Sequence, residues 1–235
     1  MTFFRIFIIY LLGVYFANAK VVTVSGIQGS LNSEISYAVL SEAYSQIGYT
    51  LKWKPLPAER SLRTSNSGEV DGELFRIGGI QRKYTNLLIV PVVINKLQGV
   101  VYAKNKDFKV NGWSSLKGSK IGIQRGVKFS ENGTKGMLVE IFNSVDELLK
   151  SLGSRRIDVA IVSRVNGLKY KDSAKESKAI ALRPFIEEFE LFHYIHKKNE
   201  YLVEKLVTVL LQMKSSGRID EIRRDYLSRY EVEQY

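Results

Sequence analysis

Short apolar runs alternate along this chain with stretches in which apolar residues recur every three or four positions, the pattern of strands interleaved with helices. Residues 21–25, Val-Val-Thr-Val-Ser, are a β-branched run ended by Gly26 and predict a buried strand. Leu31, Ile35, Ala38, Val39, Tyr44 and Ile47 then share one helical face, with Asn32 or Ser33 as a start signal and Gly48 as a stop. Tyr49, Leu51 and Trp53 alternate with polar neighbours, which predicts a second strand closed by Pro55 and Pro57. A short helix follows over 58–67, stopped by Gly68, and then a third strand over 70–75.

The second half repeats this plan. Residues 97–103 are apolar and rich in β-formers, suited to a crossing from one lobe to another. Strands are expected over 120–124, 139–142 and 157–162, with helices from about Phe129 and over 144–152, the latter capped by Ser144. A strand over 189–195 brings the chain back, and helices over 199–214 and 219–230 finish it. Each β-α-β-α-β run predicts an α/β lobe with parallel strands and crossover helices. Two such lobes, joined by a crossing out and a crossing back, leave a cleft between them. Ligands of open α/β sheets sit beyond the carboxyl ends of the strands. The loops after Ser25, Phe75, Gln124 and Val162 are therefore where a site is expected.

The amino terminus changes the picture of where the protein works. Arg5, an apolar run over 6–16 and Ala17-Asn18-Ala19 have the layout of a secretory signal peptide cut after Ala19. The run is about 11 residues, whereas a spanning helix needs roughly 20, so cleavage is favoured over an uncleaved anchor. There is no Cys, hence neither a disulfide framework nor a lipid-accepting thiol, and a bacterial periplasm fits. The net charge of +11 is spread along the chain rather than massed in one block. Nucleic acid is not an expected partner; a basic surface of this kind suits anionic solutes or membrane.

Several stretches carry a resemblance. They are Leu56-Pro57-Ala58-Glu59-Arg60 with Ser67-Gly68-Glu69-Val70-Asp71-Gly72, and Arg82 with Pro91. Trp113-Ser114-Ser115-Leu116-Lys117-Gly118 leads to Ile121-Gly122 and Gly126, and Arg155-Arg156-Ile157-Asp158-Val159-Ala160 follows. Gly217-Arg218-Ile219-Asp220-Glu221-Ile222 with Tyr226 closes the set. In order and spacing the chain resembles the family 3 bacterial extracellular solute-binding proteins, the amino-acid-type receptors of ABC transporters. The resemblance implies a two-lobed, type II periplasmic-binding-protein fold with a discontinuous first lobe. Residues 1–19 are then the signal peptide, 20–98 and 187–235 lobe 1, and 99–186 lobe 2. It also implies a monomer that delivers a small solute to an inner-membrane permease, or reports it to a membrane sensor. Arg82 falls where the family grips a ligand carboxylate. Ser163, a neutral hydroxyl, falls where the family has the Asp that receives the ligand ammonium.

From the residues and the resemblance together, the ligand-binding candidates are Arg60, Glu73, Arg76, Arg82, Gly126, Lys128, Phe129 and Ser163. In a regular strand Glu73 shares a face with Phe75, and Arg76 with Leu74. Arg76 meets the ligand or forms an ion pair; Arg60 does the same or braces its loop through Glu59 or Glu73. Backbone amides from Gly126 onward offer an anion site; Lys128 adds charge or is solvated, and Phe129 stacks on a ligand or staples the helix. Three arginines without a cleft Asp point to an anion-bearing solute. H-E-x-x-H and G-x-S-x-G are absent. His193 and His196 have odd spacing on one strand, so a shared metal is not expected, nor is a cofactor. The enzymatic alternative is a dehydratase with Glu73 as its acid or base.

Overall fold

The computed structural model describes residues 20–230, so the expected leader and its expected cleavage after Ala19 lie outside the described residues. The chain runs β1 (Lys20–Ile27), α1 (Leu31–Gln46), β2 (Tyr49–Leu56), α2 (Ala58–Ser67), β3 (Gly72–Ile77), β4 (Leu87–Ala103) and β5 (Ile121–Gln124). It continues with α3 (Lys128–Gly133), β6 (Val139–Phe142), α4 (Val145–Gly153), β7 (Val159–Ser163), α5 (Arg164–Lys169), α6 (Lys171–Glu176) and β8 (Ile180–Ala181). It ends with β9 (Glu187–His196), α7 (Val203–Ser215) and α8 (Arg218–Ser228).

The strands lie in the order β2-β1-β3-β9-β4-β7-β5-β6, with β8 beside β4. At one end β1 pairs in parallel with β2 and β3; at the other, β5 pairs in parallel with β6 and β7. Between these trios lie the two long antiparallel strands β4 and β9, which carry the chain out of the first half and back into it. β4 pairs with β9 from Leu87 to Gly99 and with β7 from Gly99 to Ala103, so its partner changes at Gly99.

Two strands run through prolines at which the sequence predicts a stop or no strand. β2 continues past Pro55 to Leu56 because it is the outermost strand, where the missing N–H leaves no ladder bond unmade. β4 begins ten residues before the expected crossing and passes through Pro91, which lies inside a register shift between Ile89 and Val93. The final helical pair also differs in detail. Residues 197–202 are a 3-10 turn and α7 starts only at Val203.

One apolar cluster runs from the first half across the seam to Ile121, Ile123, Val159 and Ile161, and a second lies wholly within the second half. In the second, Leu148, Leu149 and Leu152 of α4 are buried against Phe142 and Ile157, each burial contributing on the order of 2 kcal/mol. α4 begins as expected, with the Ser144 hydroxyl accepting from the Glu147 N–H. α1 begins at Leu31, earlier than Asn32 or Ser33 suggests. Ser30 does not cap it by side chain; its hydroxyl reaches the other half of the molecule instead. No helix among the described residues is long and apolar enough to cross a membrane.

Candidate functional site

The ends of β1, β3, β5 and β7 meet at the seam between the two halves and enclose a cavity of about 40 Å³. A water needs roughly 10–15 Å³, so this is room for about three. Its walls are Ile27, Ser30 and Asn32 after β1, and Phe75, Arg76 and Ile77 at the end of β3. From the other half come Gln124, Val127, Lys128 and Phe129 after β5, then Ile161, Val162, Ser163 and Asn166 around the end of β7. All four loops singled out by the sequence therefore border one space.

Arg76 is the cation at its centre, 3% exposed, and it comes with its own carboxylate. Its Nε and Nη2 lie 2.7 and 2.6 Å from Glu73 Oε1, and Nη2 also donates to the Ala58 carbonyl at 2.7 Å. Glu73 is fully buried and accepts further bonds from the hydroxyls of Ser25, Ser61 and Ser65. The regular alternation that separates Glu73 from Arg76 fails here. The pairing of β3 with β9 shifts register between these two residues, and the irregularity turns Arg76 toward Glu73.

Behind the pair lies His193, wholly buried. Its Nδ1 is 2.9 Å from the Glu73 carbonyl and 3.2 Å from that of Leu74. Carbonyls only accept, so Nδ1 carries the proton and Nε2 accepts from the Tyr44 hydroxyl at 2.9 Å. Burial lowers the His193 pKa from 6.5 to about 4, the two carbonyls opposing it. The unfolded chain therefore binds a proton at higher pH than the folded one, and stability is full above pH 6.5. It is expected to fall as the pH drops from 6.5 toward 4, by about 3 kcal/mol in all, and to level off below that. Urea melts from pH 7.5 to 4 on the protein and on His193→Gln check this. The variant should lose that part of the pH dependence, and an identical profile in both proteins would refute the assignment.

The two halves touch on both sides of the cavity. On one side Asn32 Nδ2 donates to Ser163 Oγ at 3.1 Å. Asn166 Oδ1 receives Ser30 Oγ at 3.1 Å and the Leu31 N–H at 3.0 Å. Lys169 pairs with Glu34 nearby. On the other side Arg76 Nη1 donates to the Gly126 carbonyl at 3.2 Å, and Lys128 joins Glu59 at 2.7 Å and Glu131 at 2.6 Å. Burial opposes the charge on Lys128, but the hydrogen bonds it donates to Glu131 and Glu59 outweigh it and its pKa is raised. Burial likewise opposes ionisation of Glu59, yet the bond and charge of Lys128 leave its pKa lowered.

The structure thus brings Glu73, Arg76, Gly126, Lys128, Phe129 and Ser163 together, and not Arg60 or Arg82. Arg82 ends an exposed 3-10 turn and does not border the cavity. Arg60 is exposed on α2 and lines the outer mouth of the seam with Arg63, Lys83 and Arg125. Glu59 serves Lys128 rather than Arg60. Phe129 is buried, in contact with the rings of Trp113 and Phe189, so it is part of the wall. Asn32 and Asn166 contribute without a distinctive sequence signal; only their places at the starts of helices following β1 and β7 hint at them.

No family model matches the chain. An uncharacterized protein of Shewanella oneidensis is 25% identical over 201 residues, covering 82% of this chain and 76% of that protein. Among solved structures, an ancestral arginine-binding protein bound to glutamine superposes with a TM-score of 0.72 at 19% identity, covering 88% of this chain and 97% of its own. A histidine kinase sensor domain with similarity to periplasmic binding proteins gives 0.73 at 15%, covering 88% and 96%. The ancestral amino-acid-binding protein AncCDT-1, a precursor of cyclohexadienyl dehydratase, gives 0.70 at 14%, covering 88% and 95%. The fold is the two-lobed α/β fold of type II periplasmic binding proteins, with a discontinuous first lobe. It is a ligand-binding fold, and substrate-binding proteins of amino-acid ABC transporters share it.

Proposed function

We propose that the chain is an exported, monomeric solute-binding protein of the family 3 extracellular type, working in the periplasm. Its lobes, 20–98 with 187–235 and 99–186, close around a small molecule that is handed to an inner-membrane ABC permease. One observation carries this reading. The cavity lies where four strand ends from both lobes converge, and hydrogen bonds join the two lobes on either side of it. Glu73, Arg76, Gly126, Lys128, Phe129 and Ser163 form the site in this account. Of the three arginines behind the expectation of an anion-bearing solute, Arg76 borders the cavity and is paired with Glu73, while Arg60 and Arg82 are exposed outside it.

Hinge closure predicts that the right solute raises the melting temperature of the protein without its leader. At a hundred times its dissociation constant, a solute adds about 2.7 kcal/mol. Melting against a library of amino acids, carboxylic acids, amides, amines and sugars checks this, and no shift with any class would remove the solute-binding reading. A dehydratase is disfavoured because both Glu73 oxygens are already engaged by Arg76 and hydroxyls. The likeness to a kinase sensor domain favours, as a second reading, delivery to a membrane sensor. Crosslinking the solute-loaded protein to its membrane partner separates the two.

A further inference from the structure

Most polar groups facing the cavity offer donors; Gln124 is the exception, its Nε2 being spent on the Asn143 carbonyl. Of the five guanidinium N–H bonds of Arg76, those on Nε and Nη2 go to Glu73 and Ala58 within its own lobe. Nη1 alone faces outward, and its bond to the Gly126 carbonyl is released when the lobes part. The fork that would grip a ligand carboxylate with two nitrogens is therefore taken by Glu73. Ser163 Oγ accepts from Asn32 Nδ2 and from the Asn166 N–H, which leaves its own proton to offer. Asn166 spends its Oδ1 on Ser30 and Leu31, so its Nδ2 donors remain.

No carboxylate borders the cavity among the described residues. Glu73, Glu59 and Glu131 are turned to Arg76 and Lys128. Much of the remaining wall is apolar, with Ile27, Phe75, Ile77, Leu191, Phe129 and Ile161 in it. An ammonium shut into such a space finds no free carboxylate as counter-charge, and a buried unpaired charge is strongly disfavoured.

We propose that the cleft selects a small solute with an apolar body and a polar end that only accepts hydrogen bonds, a carbonyl or carboxylate oxygen, and that it rejects α-amino acids. The proposal rests on the solute-binding reading above and deepens it. Matched ligands isolate the ammonium: 3-phenylpropanoate and its methyl ester against L-phenylalanine, and 4-methylpentanoate against L-leucine. In calorimetric titrations an acid or ester is expected to bind at least tenfold more tightly than the parent amino acid. Ser163→Asp places a carboxylate where Asn32 and the Asn166 N–H already donate, and should shift the ratio at least tenfold toward the amino acid. Ser163→Asn, similar in size and uncharged, should leave the order unchanged and controls for folding.

An amino acid that binds the unaltered protein as tightly as its deaminated partner overturns the proposal, as does a ratio unmoved by Ser163→Asp. Binding confined to sugars, amines or inorganic anions overturns it too, while leaving the solute-binding reading intact. Silence from every class of solute brings down both.

Discussion

Glu73→Ala is expected to lower the free energy of unfolding by about 3–5 kcal/mol, the loss typical of removing one partner from a buried ion pair. Arg76 is 3% exposed and holds Glu73 Oε1 through its Nε, which donates to it, and its Nη2. Without that carboxylate the guanidinium keeps its charge but has only the Ala58 and Gly126 carbonyls left. The hydroxyls of Ser25, Ser61 and Ser65 lose a shared acceptor in the same stroke. For a chain of this size the melting temperature should fall by roughly 10 °C. Replacing both partners, as Glu73→Met with Arg76→Leu, removes the stranded charge and should recover most of the loss. A single Glu73→Ala variant that melts like the unaltered protein would show that the pair is not formed as described.

Gly126→Ala should leave each lobe folded yet weaken capture of the solute at least tenfold, about 1.4 kcal/mol. Two constraints meet at this residue. Its φ is +77°, where a side chain costs about 1–2 kcal/mol. A Cβ there would also lie 2.3 Å from the Glu59 N and 2.8 Å from the Ala58 carbonyl carbon. Those atoms are backbone of the first turn of α2, in the opposite lobe, so neither can yield by a rotamer change. The lobes must stay further apart, which lengthens the Arg76 and Lys128 bonds across the seam. Titration of the solute that best protects the native chain reads the effect. Unchanged affinity would mean that the turn after β5 does not approach α2 in the working state.

The α/β plan was legible because each strand and helix announces itself locally. The β-branched run before Gly26, the helical face from Leu31 to Tyr44 and the Ser144 cap all describe neighbours in sequence. The first half of β4 was not, because Pro91 and the register shifts around Val93 break the period-two pattern that marks a strand. The site was legible at the level of loops and not of partners. Arg60, Arg76 and Arg82 look alike in sequence, each close to a predicted turn. What distinguishes Arg76 is the irregularity between it and Glu73, set by how β3 pairs with a strand some 120 residues away. Lys128 finding Glu59 is likewise a contact across 69 positions, invisible until the lobes are brought together. The resemblance placed the carboxylate grip at Arg82; the arginine that borders the cavity lies six residues earlier.

The absence of cysteine makes one decisive experiment clean, since introduced thiols are then the only labelling sites. Spin labels at Glu69→Cys and Lys135→Cys, both exposed, report the separation of the lobes by double electron–electron resonance. The hinged-capture account predicts a longer-distance population that the stabilising solute collapses into the short distance of the touching lobes. A single separation, identical with and without that solute, would contradict it.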